Sequence, residues 1–180
     1  MPDDVRAFWR RFGQQVINKT VKPCVIKAFM PYLERKLDFL PKSEVEWARA
    51  NAKFVDNLNE GLNLDIGFEI PPHVDQYYIF VTPLLYMPPD ESQRHLGTML
   101  FRPKSPSLRT LNTTYVDEND VEEVYQFSFA PNTLCSFLQT PVSFHGFINR
   151  SSWKPRRSYQ FNALFDSDAL ARLYKDQNLN

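Results

Sequence analysis

The chain has 180 residues, of which 43% are hydrophobic and 14% aromatic, and this composition supports one domain with a sizeable core and excludes extensive disorder. Lys plus Arg and Asp plus Glu number 21 each, so no basic excess points to a nucleic acid or an anionic membrane as partner. No apolar run reaches the roughly 18 residues that a membrane-spanning helix needs.

The first forty residues are predicted to be helical. Apolar side chains recur at helical spacing in "DDVRAFWRRFGQQVINK" and form one stripe, made of Val5, Phe8, Trp9, Phe12 and Val16. Acidic residues open this segment and Lys19 closes it, as the helix dipole prefers. Pro23 is expected to interrupt the helix, and "CVIKAFMPYLERKL" predicts a second, shorter one.

From about residue 45 the pattern changes to short runs rich in Val, Ile, Phe, Tyr and Thr, separated by Gly, Pro, Asn and Asp. These runs predict strands at 64–70, 77–87, 97–102, 112–116, 121–129, 133–139, 143–149 and 156–165. Seven or eight short strands favour a mainly β sandwich or barrel of jelly-roll type, with the helices as support.

The chain is interpreted as one domain with three parts. Residues 1–44 form the helical support, residues 45–166 form the β core, and residues 167–180 form a closing helix and tail. The closing helix is predicted in "SDALARLYK", at 167–175, because a serine precedes it as a cap.

The segment "IPPHVDQYY", residues 70–78, contains His73 and Asp75. Residues i and i+2 of a strand point the same way, so both side chains could serve one metal ion. An open iron site commonly has two imidazoles and one carboxylate on one face, with the opposite face left for substrate and oxygen. The third ligand would be His95, in the polar loop "DESQRHLGT", or His145, in the apolar "VSFHGF". We favour His145, because a strand holds a ligand more rigidly than a loop does.

Each of these residues also has an ordinary interpretation. A His-x-Asp pair arises often by chance, so the pair alone is weak evidence for a metal site. A histidine in an apolar strand is more often a hydrogen-bonded core residue than a ligand, and His95 is expected to be a solvated loop residue.

A second polar motif follows eleven residues after His145, in "RRSYQF", residues 156–161. Arg156 and Ser158 share one face of a strand, and Arg157 points to the other face. A buried arginine beside a serine can hold a carboxylate through a bidentate guanidinium and a hydroxyl. The alternative is a pair of surface arginines.

Together, the His-x-Asp pair, a histidine about seventy residues later and the Arg-x-Ser motif resemble the Fe(II)/2-oxoglutarate-dependent oxygenases, in particular the prolyl-hydroxylase-like branch. The neighbouring sequence segments also resemble those of this family. "FAPNTLCSFLQTPVSFHGF" is similar to the family's passage of proline, turn, apolar strand and His-Gly, and "VTPLLYMPPD" and "HLGTMLFRP" are similar to the strands that follow the His-x-Asp pair. The resemblance covers residues 64–166.

The resemblance implies a double-stranded β-helix, which is a cupin-like jelly roll, and a hydroxylase that uses Fe(II), 2-oxoglutarate and O2 and releases succinate and CO2. It implies that His73, Asp75 and His145 bind the iron. A carboxylate at position 75 disfavours halogenation, because related halogenases have a small residue there.

The resemblance also assigns residues to the cosubstrate. Arg156 would pair with the distal carboxylate of 2-oxoglutarate, with Ser158 beside it. Arg157 would replace Arg156 if the strand register slips by one residue. Tyr86, at the end of its strand, would be a second donor to the same carboxylate.

The substrate class stays open between a small molecule, an amino acid and a peptide side chain, and no signal indicates an oligomeric state. The basic residues of segment 90–110 could receive an acidic substrate or form a solvated face; they are Arg94, Arg102, Lys104 and Arg109. Two other functions stay open: a non-catalytic cupin-like metal-binding module, which would need no Arg156 and Ser158, and an interaction domain. The distant cysteines Cys24 and Cys135 are typical of free thiols, so we expect a cytoplasmic protein.

Overall fold

The computed structural model describes residues 2–51, 53–55, 61–65, 69–148 and 156–165. In these ranges no helix has the length and apolar character needed to cross a membrane. The helix predicted at 167–175 lies outside the described residues.

The N-terminal part of the chain is helical, as the sequence predicts. The helices are α1 (Asp3–Phe12), a π-helical stretch (Gly13–Val21), α2 (Lys22–Phe29), a 3-10 turn (Met30–Tyr32), α3 (Leu33–Lys36) and α4 (Lys42–Asn51). The run from α1 to α2 is continuous, so the expected interruption at Pro23 is wrong. Pro23 lies in the first turn of α2, after the π-helical turns, where a missing N–H costs little. Helix α4 also extends past residue 44, the end expected for the helical support.

Only part of the N-terminal apolar stripe is covered. Trp9 and Phe12 pack on Tyr159, with ring centroids 5.8 and 5.6 Å from the tyrosine ring. The other stripe residues are exposed, namely Val5, Phe8 and Val16. The stripe thus packs along one side on the β core.

The described residues contain eleven strands. They are β1 (Phe54–Val55), β2 (Gly61–Asp65), β3 (Ile70–Val74), β4 (Ile79–Tyr86), β5 (Met99–Pro103), β6 (Thr114–Tyr115), β7 (Val121–Gln126), β8 (Thr133–Leu138), β9 (Phe144–Phe147), β10 (Arg156–Gln160) and β11 (Ala163–Phe165). The run expected as one strand at 156–165 forms two strands. The run expected at 64–70 is divided between β2 and β3.

The strands form two antiparallel sheets. In the first sheet, β8 pairs with one edge of β4, while β10 and β11 pair with the other edge and continue to β2 and β1. The second sheet has the order β6-β3-β9-β5-β7. The mainly β fold with N-terminal helices is therefore as predicted.

Helices cover the first sheet from outside, where Leu33 and Leu37 belong to one buried cluster with Phe80 and Phe165. Another cluster contains residues of both sheets, among them Tyr86 of β4 and Phe147 of β9. The two sheets therefore pack on each other, and the candidate site lies between them.

Candidate metal centre

A cavity of about 110 Å³ lies between the two sheets. Polar side chains from both sheets line it, and five of them are residues that the sequence singles out: His73, Asp75, His145, Arg156 and Ser158. A cavity of this size suits a small organic molecule rather than a drug-sized ligand.

Two histidines lie directly opposite each other on neighbouring strands of the second sheet. His73 of β3 is in register with His145 of β9, and the centroids of their rings are 4.3 Å apart. The residues are 9% and 6% exposed, respectively. Directly opposite residues of a sheet project to the same face, so the pairing of β3 with β9 brings both rings to the cavity.

Hydrogen bonds orient both rings. The Nδ1 of His73 is 2.9 Å from the carbonyl oxygen of Pro71, and the Nδ1 of His145 is 3.2 Å from that of Ser143. A carbonyl can only accept a hydrogen bond, so each Nδ1 carries the proton and each Nε2 keeps a lone pair.

The two Nε2 atoms converge on Asp75, the residue after β3. The Nε2 of His73 is 3.8 Å from Oδ1, and the Nε2 of His145 is 3.6 Å from Oδ2. The candidate ligand atoms of these three residues lie within 4.8 Å of one another. This buried group could bind a metal ion, because imidazoles and carboxylates are common metal ligands.

The protonation state of His145 suits metal binding. Burial lowers the pKa of His145 well below its ordinary value, although the Asp75 carboxylate opposes this effect. The imidazole is therefore neutral at pH 7 and presents a lone pair to the cavity.

Gly146 allows β9 to approach β3 closely beside these ligands. A Cβ at position 146 would lie 2.5 Å from the carbonyl oxygen of Ile70. The β3–β9 register also shifts between Ile70 and His73. A side chain after His145 would push the two ligand strands apart, which explains the glycine of the His-Gly motif in physical terms.

Arg156 reaches the same cavity from the first sheet. Its Nε donates to the carbonyl oxygen of Leu96 at 2.9 Å, and its Nη2 donates to Oγ1 of Thr98 at 2.9 Å. Three aromatic rings surround the guanidinium, with centroids 4.8 to 5.5 Å from its carbon: Phe147, Phe129 and Tyr86. Aromatic faces favour a cation, so the guanidinium is held in place although it is only 3% exposed.

The alternation along β10 separates the two arginines. Arg156, Ser158 and Gln160 line the cavity, Arg157 is exposed, and Tyr159 packs against the N-terminal helical segment. The motif thus directs Arg156 and Ser158 to one face, as the period of a strand predicts.

Tyr86 is buried and is not among the residues that line the cavity. Its hydroxyl donates to Oγ1 of Thr98 at 2.8 Å and accepts the backbone N–H of Thr98 at 3.0 Å. Thr98, which lines the cavity, thus links Tyr86 and Arg156 through its hydroxyl, and the role of Tyr86 as a second donor to the cosubstrate stays a prediction.

Other candidate residues lie elsewhere. His95 is exposed in the 3-10 turn Glu91–Leu96. The basic residues of segment 90–110 each have a partner within the chain: Arg94 with Glu91, Arg102 with Glu122, Lys104 with the carbonyl of Asn119, and Arg109 with Asp38. These pairs favour the interpretation of this segment as a solvated face.

Sequence reasoning missed three polar residues at the site: Thr82, Thr98 and Gln139. Thr82 interrupts the apolar run "IFVTPLLY", and Gln139 follows the apolar residues of "TLCSFLQ". Both residues are buried. A polar residue in such a run is a signal for a buried hydrogen bond, and it could have drawn attention to both.

The chain was compared with protein-family models, curated proteins and solved structures, and none of them matches it.

Proposed function

We propose that this protein is an Fe(II)/2-oxoglutarate-dependent dioxygenase of the prolyl-hydroxylase-like type that hydroxylates an unactivated C–H bond of a small molecule, an amino acid or a peptide side chain. One observation carries the proposal. The metal-binding group of His73, Asp75 and His145 lines the same small cavity as the buried Arg156 and Ser158. A metal ion and a carboxylate partner in one cavity are what a 2-oxo dicarboxylic acid requires.

The strand order supports a double-stranded β-helix. The first sheet contains β2, β10, β4 and β8 in that order, and the second contains β3, β9, β5 and β7. Along the chain these eight strands alternate between the sheets at every step except from β5 to β7. A jelly roll would wind between two antiparallel sheets in this way, so the strand order supports the proposed fold.

Bound iron, with 2-oxoglutarate and O2, supplies the oxidative chemistry that gives the hydroxylated product, succinate and CO2. The protein binds and orients the reactants. His73, Asp75 and His145 would hold the iron, and the guanidinium of Arg156 and the hydroxyl of Ser158 would hold the distal carboxylate. Ile70, Leu84 and Phe147 give the cavity an apolar side, which would limit water beside the reactants.

The proposed location is the cytoplasm. Both cysteines are free, with Cys24 exposed and Cys135 buried. A reducing compartment preserves free thiols and also Fe(II).

The binding of 2-oxoglutarate to Mn(II)-loaded protein tests the role of Arg156. Arg156→Ala removes the guanidinium and should weaken 2-oxoglutarate binding at least about tenfold, because hydrogen bonds to charged groups contribute about 1.5–3 kcal/mol each. Arg157→Ala is the matched control, since it removes the adjacent, exposed arginine. It should leave the affinity unchanged.

The two variants also separate the proposal from a cupin-like module that binds only a metal ion. Equal 2-oxoglutarate affinity in the wild type, Arg156→Ala and Arg157→Ala would make Arg156 a structural residue. Protein that binds Mn(II) but no 2-oxoglutarate would favour the metal-binding module.

A further inference from the structure

One carboxylate oxygen of Asp75 accepts two short hydrogen bonds. Thr82 donates from Oγ1 to Oδ2 at 2.8 Å, and Gln139 donates from Nε2 to the same oxygen at 2.7 Å. Gln139 also donates from Nε2 to Oγ1 of Thr82 at 2.8 Å, which closes a triangle around Oδ2.

The directions of these bonds are determined by the available hydrogens. The carboxylate of Asp75 can only accept hydrogen bonds, so the hydroxyl of Thr82 and the amide nitrogen of Gln139 are the donors. Two donors therefore converge on Oδ2.

The backbone of Gln139 is held from two sides. Its N–H donates to the carbonyl oxygen of Phe80 in β4 at 3.0 Å. Its carbonyl oxygen accepts a hydrogen bond from Nζ of Lys36 in α3 at 3.1 Å. Gln139 and Thr82 are each 2% exposed, so packing also limits their side-chain motion.

The other oxygen, Oδ1, lies 3.8 Å from Nε2 of His73 and remains for a metal ion. Nε2 of His145 lies 3.6 Å from Oδ2, the oxygen that already accepts both hydrogen bonds. We propose that Thr82 and Gln139 are positioning residues that hold Asp75 in coordination through one oxygen. The inference rests on the proposed function and extends it.

The consequence concerns the number of open positions on the metal. Two imidazoles and one carboxylate oxygen leave three positions of an octahedral ion for exogenous ligands. A chelating 2-oxo acid would need two of these positions. If Asp75 bound through both oxygens, only two would remain, and the cosubstrate would leave none open.

Mn(II) binding to the full chain tests this role without catalysis. Affinity is measured by electron paramagnetic resonance of free Mn(II), and water-proton relaxation counts the water molecules on the bound ion. Thr82→Val and Gln139→Met remove the donors but keep the size of the side chains. We expect about 10- to 100-fold weaker binding and a fall from three bound waters to two.

Thr82→Ser is the matched control, because it keeps the hydroxyl. It should bind Mn(II) with nearly wild-type affinity and three waters. Thermal unfolding of the metal-free proteins checks that each variant folds. If Gln139→Met does not fold, the comparison of Thr82→Val with Thr82→Ser alone tests the positioning role. A merely structural role would lower the unfolding temperature without changing the water count.

Three waters retained in Thr82→Val, at any affinity, would overturn the positioning role while leaving the metal site intact. Wild-type protein that binds no Mn(II) would overturn the metal site of the proposed function, and the positioning role with it.

Discussion

His73 and His145 face each other across β3 and β9 with ring centroids 4.3 Å apart, although 72 positions separate them in the sequence. Each ring donates its Nδ1 proton to a backbone carbonyl two residues earlier in its own strand segment. The same local arrangement thus occurs twice, and it leaves two Nε2 lone pairs directed toward Asp75.

The first prediction concerns the ligands themselves. Asp75→Ala and His145→Ala should each lower Co(II) affinity at least about 100-fold, because one of three protein ligands is lost. Titration of the visible Co(II) absorption measures the change. His95→Ala is the control and should bind like the wild type, since His95 lies exposed in the 3-10 turn. Loss of binding in the control instead would mean that the metal site is elsewhere.

The second prediction uses two adjacent aromatic residues of α1. Trp9 packs on Tyr159, the residue between Ser158 and Gln160, whereas Phe8 is 52% exposed. Trp9→Ala should lower the free energy of unfolding by about 1–3 kcal/mol, and Phe8→Ala by less than about 0.5 kcal/mol. Urea unfolding measures both. Equal losses would show that α1 does not stabilise β10 through Trp9.

The third prediction concerns the close approach of β9 to β3. Gly146→Ala should destabilise the protein by about 1–3 kcal/mol, because its Cβ would meet the Ile70 carbonyl at 2.5 Å. The sign is diagnostic, since Gly→Ala at an unobstructed site generally stabilises a protein. A stability equal to or above the wild-type value, measured by urea unfolding, would contradict the contact.

The fourth prediction follows from Lys36. Burial lowers the pKa of this ammonium from 10.5 to about 7 in the folded protein. Between these two values the unfolded chain binds the extra proton, so the stability of the metal-free protein should rise with pH, by at most about 1.4 kcal/mol per unit. Lys36→Met should remove this slope.

Unfolding temperatures of the wild type and Lys36→Met, measured between pH 7 and 9.5, test the slope. Other groups titrate in both proteins, so only the difference between the two curves reports on Lys36. Parallel curves would show that the lysine keeps its ordinary pKa.

Local patterns in the sequence account for much of the site. The period of two in β3 and β10 places His73 with Asp75, and Arg156 with Ser158, on common faces. The rigidity argument favours His145 over His95, and the structure brings His145 to the other two residues. The shared faces could be predicted because each depends on a few neighbouring residues.

The relationships across the sheets could not be predicted from the sequence. Gln139 reaches Asp75 across 64 positions, and Thr98 accepts from Arg156 across 58 positions. Such contacts depend on how the two sheets pack, which no local pattern encodes. The hydrogen bond between Tyr86 and Thr98 is another example, because the position of Tyr86 at a strand end does not indicate it. In α1, helical spacing predicts a stripe but not which side of it the β core covers.

The most direct test of the account is anaerobic addition of Fe(II), followed by titration with 2-oxoglutarate and then admission of air. A weak visible absorption band in the green that saturates with 2-oxoglutarate, with succinate formed once air enters, is the predicted result. Asp75→Ala should give neither the band nor succinate. Folded wild-type protein that binds iron but gives no band and no succinate would contradict the account.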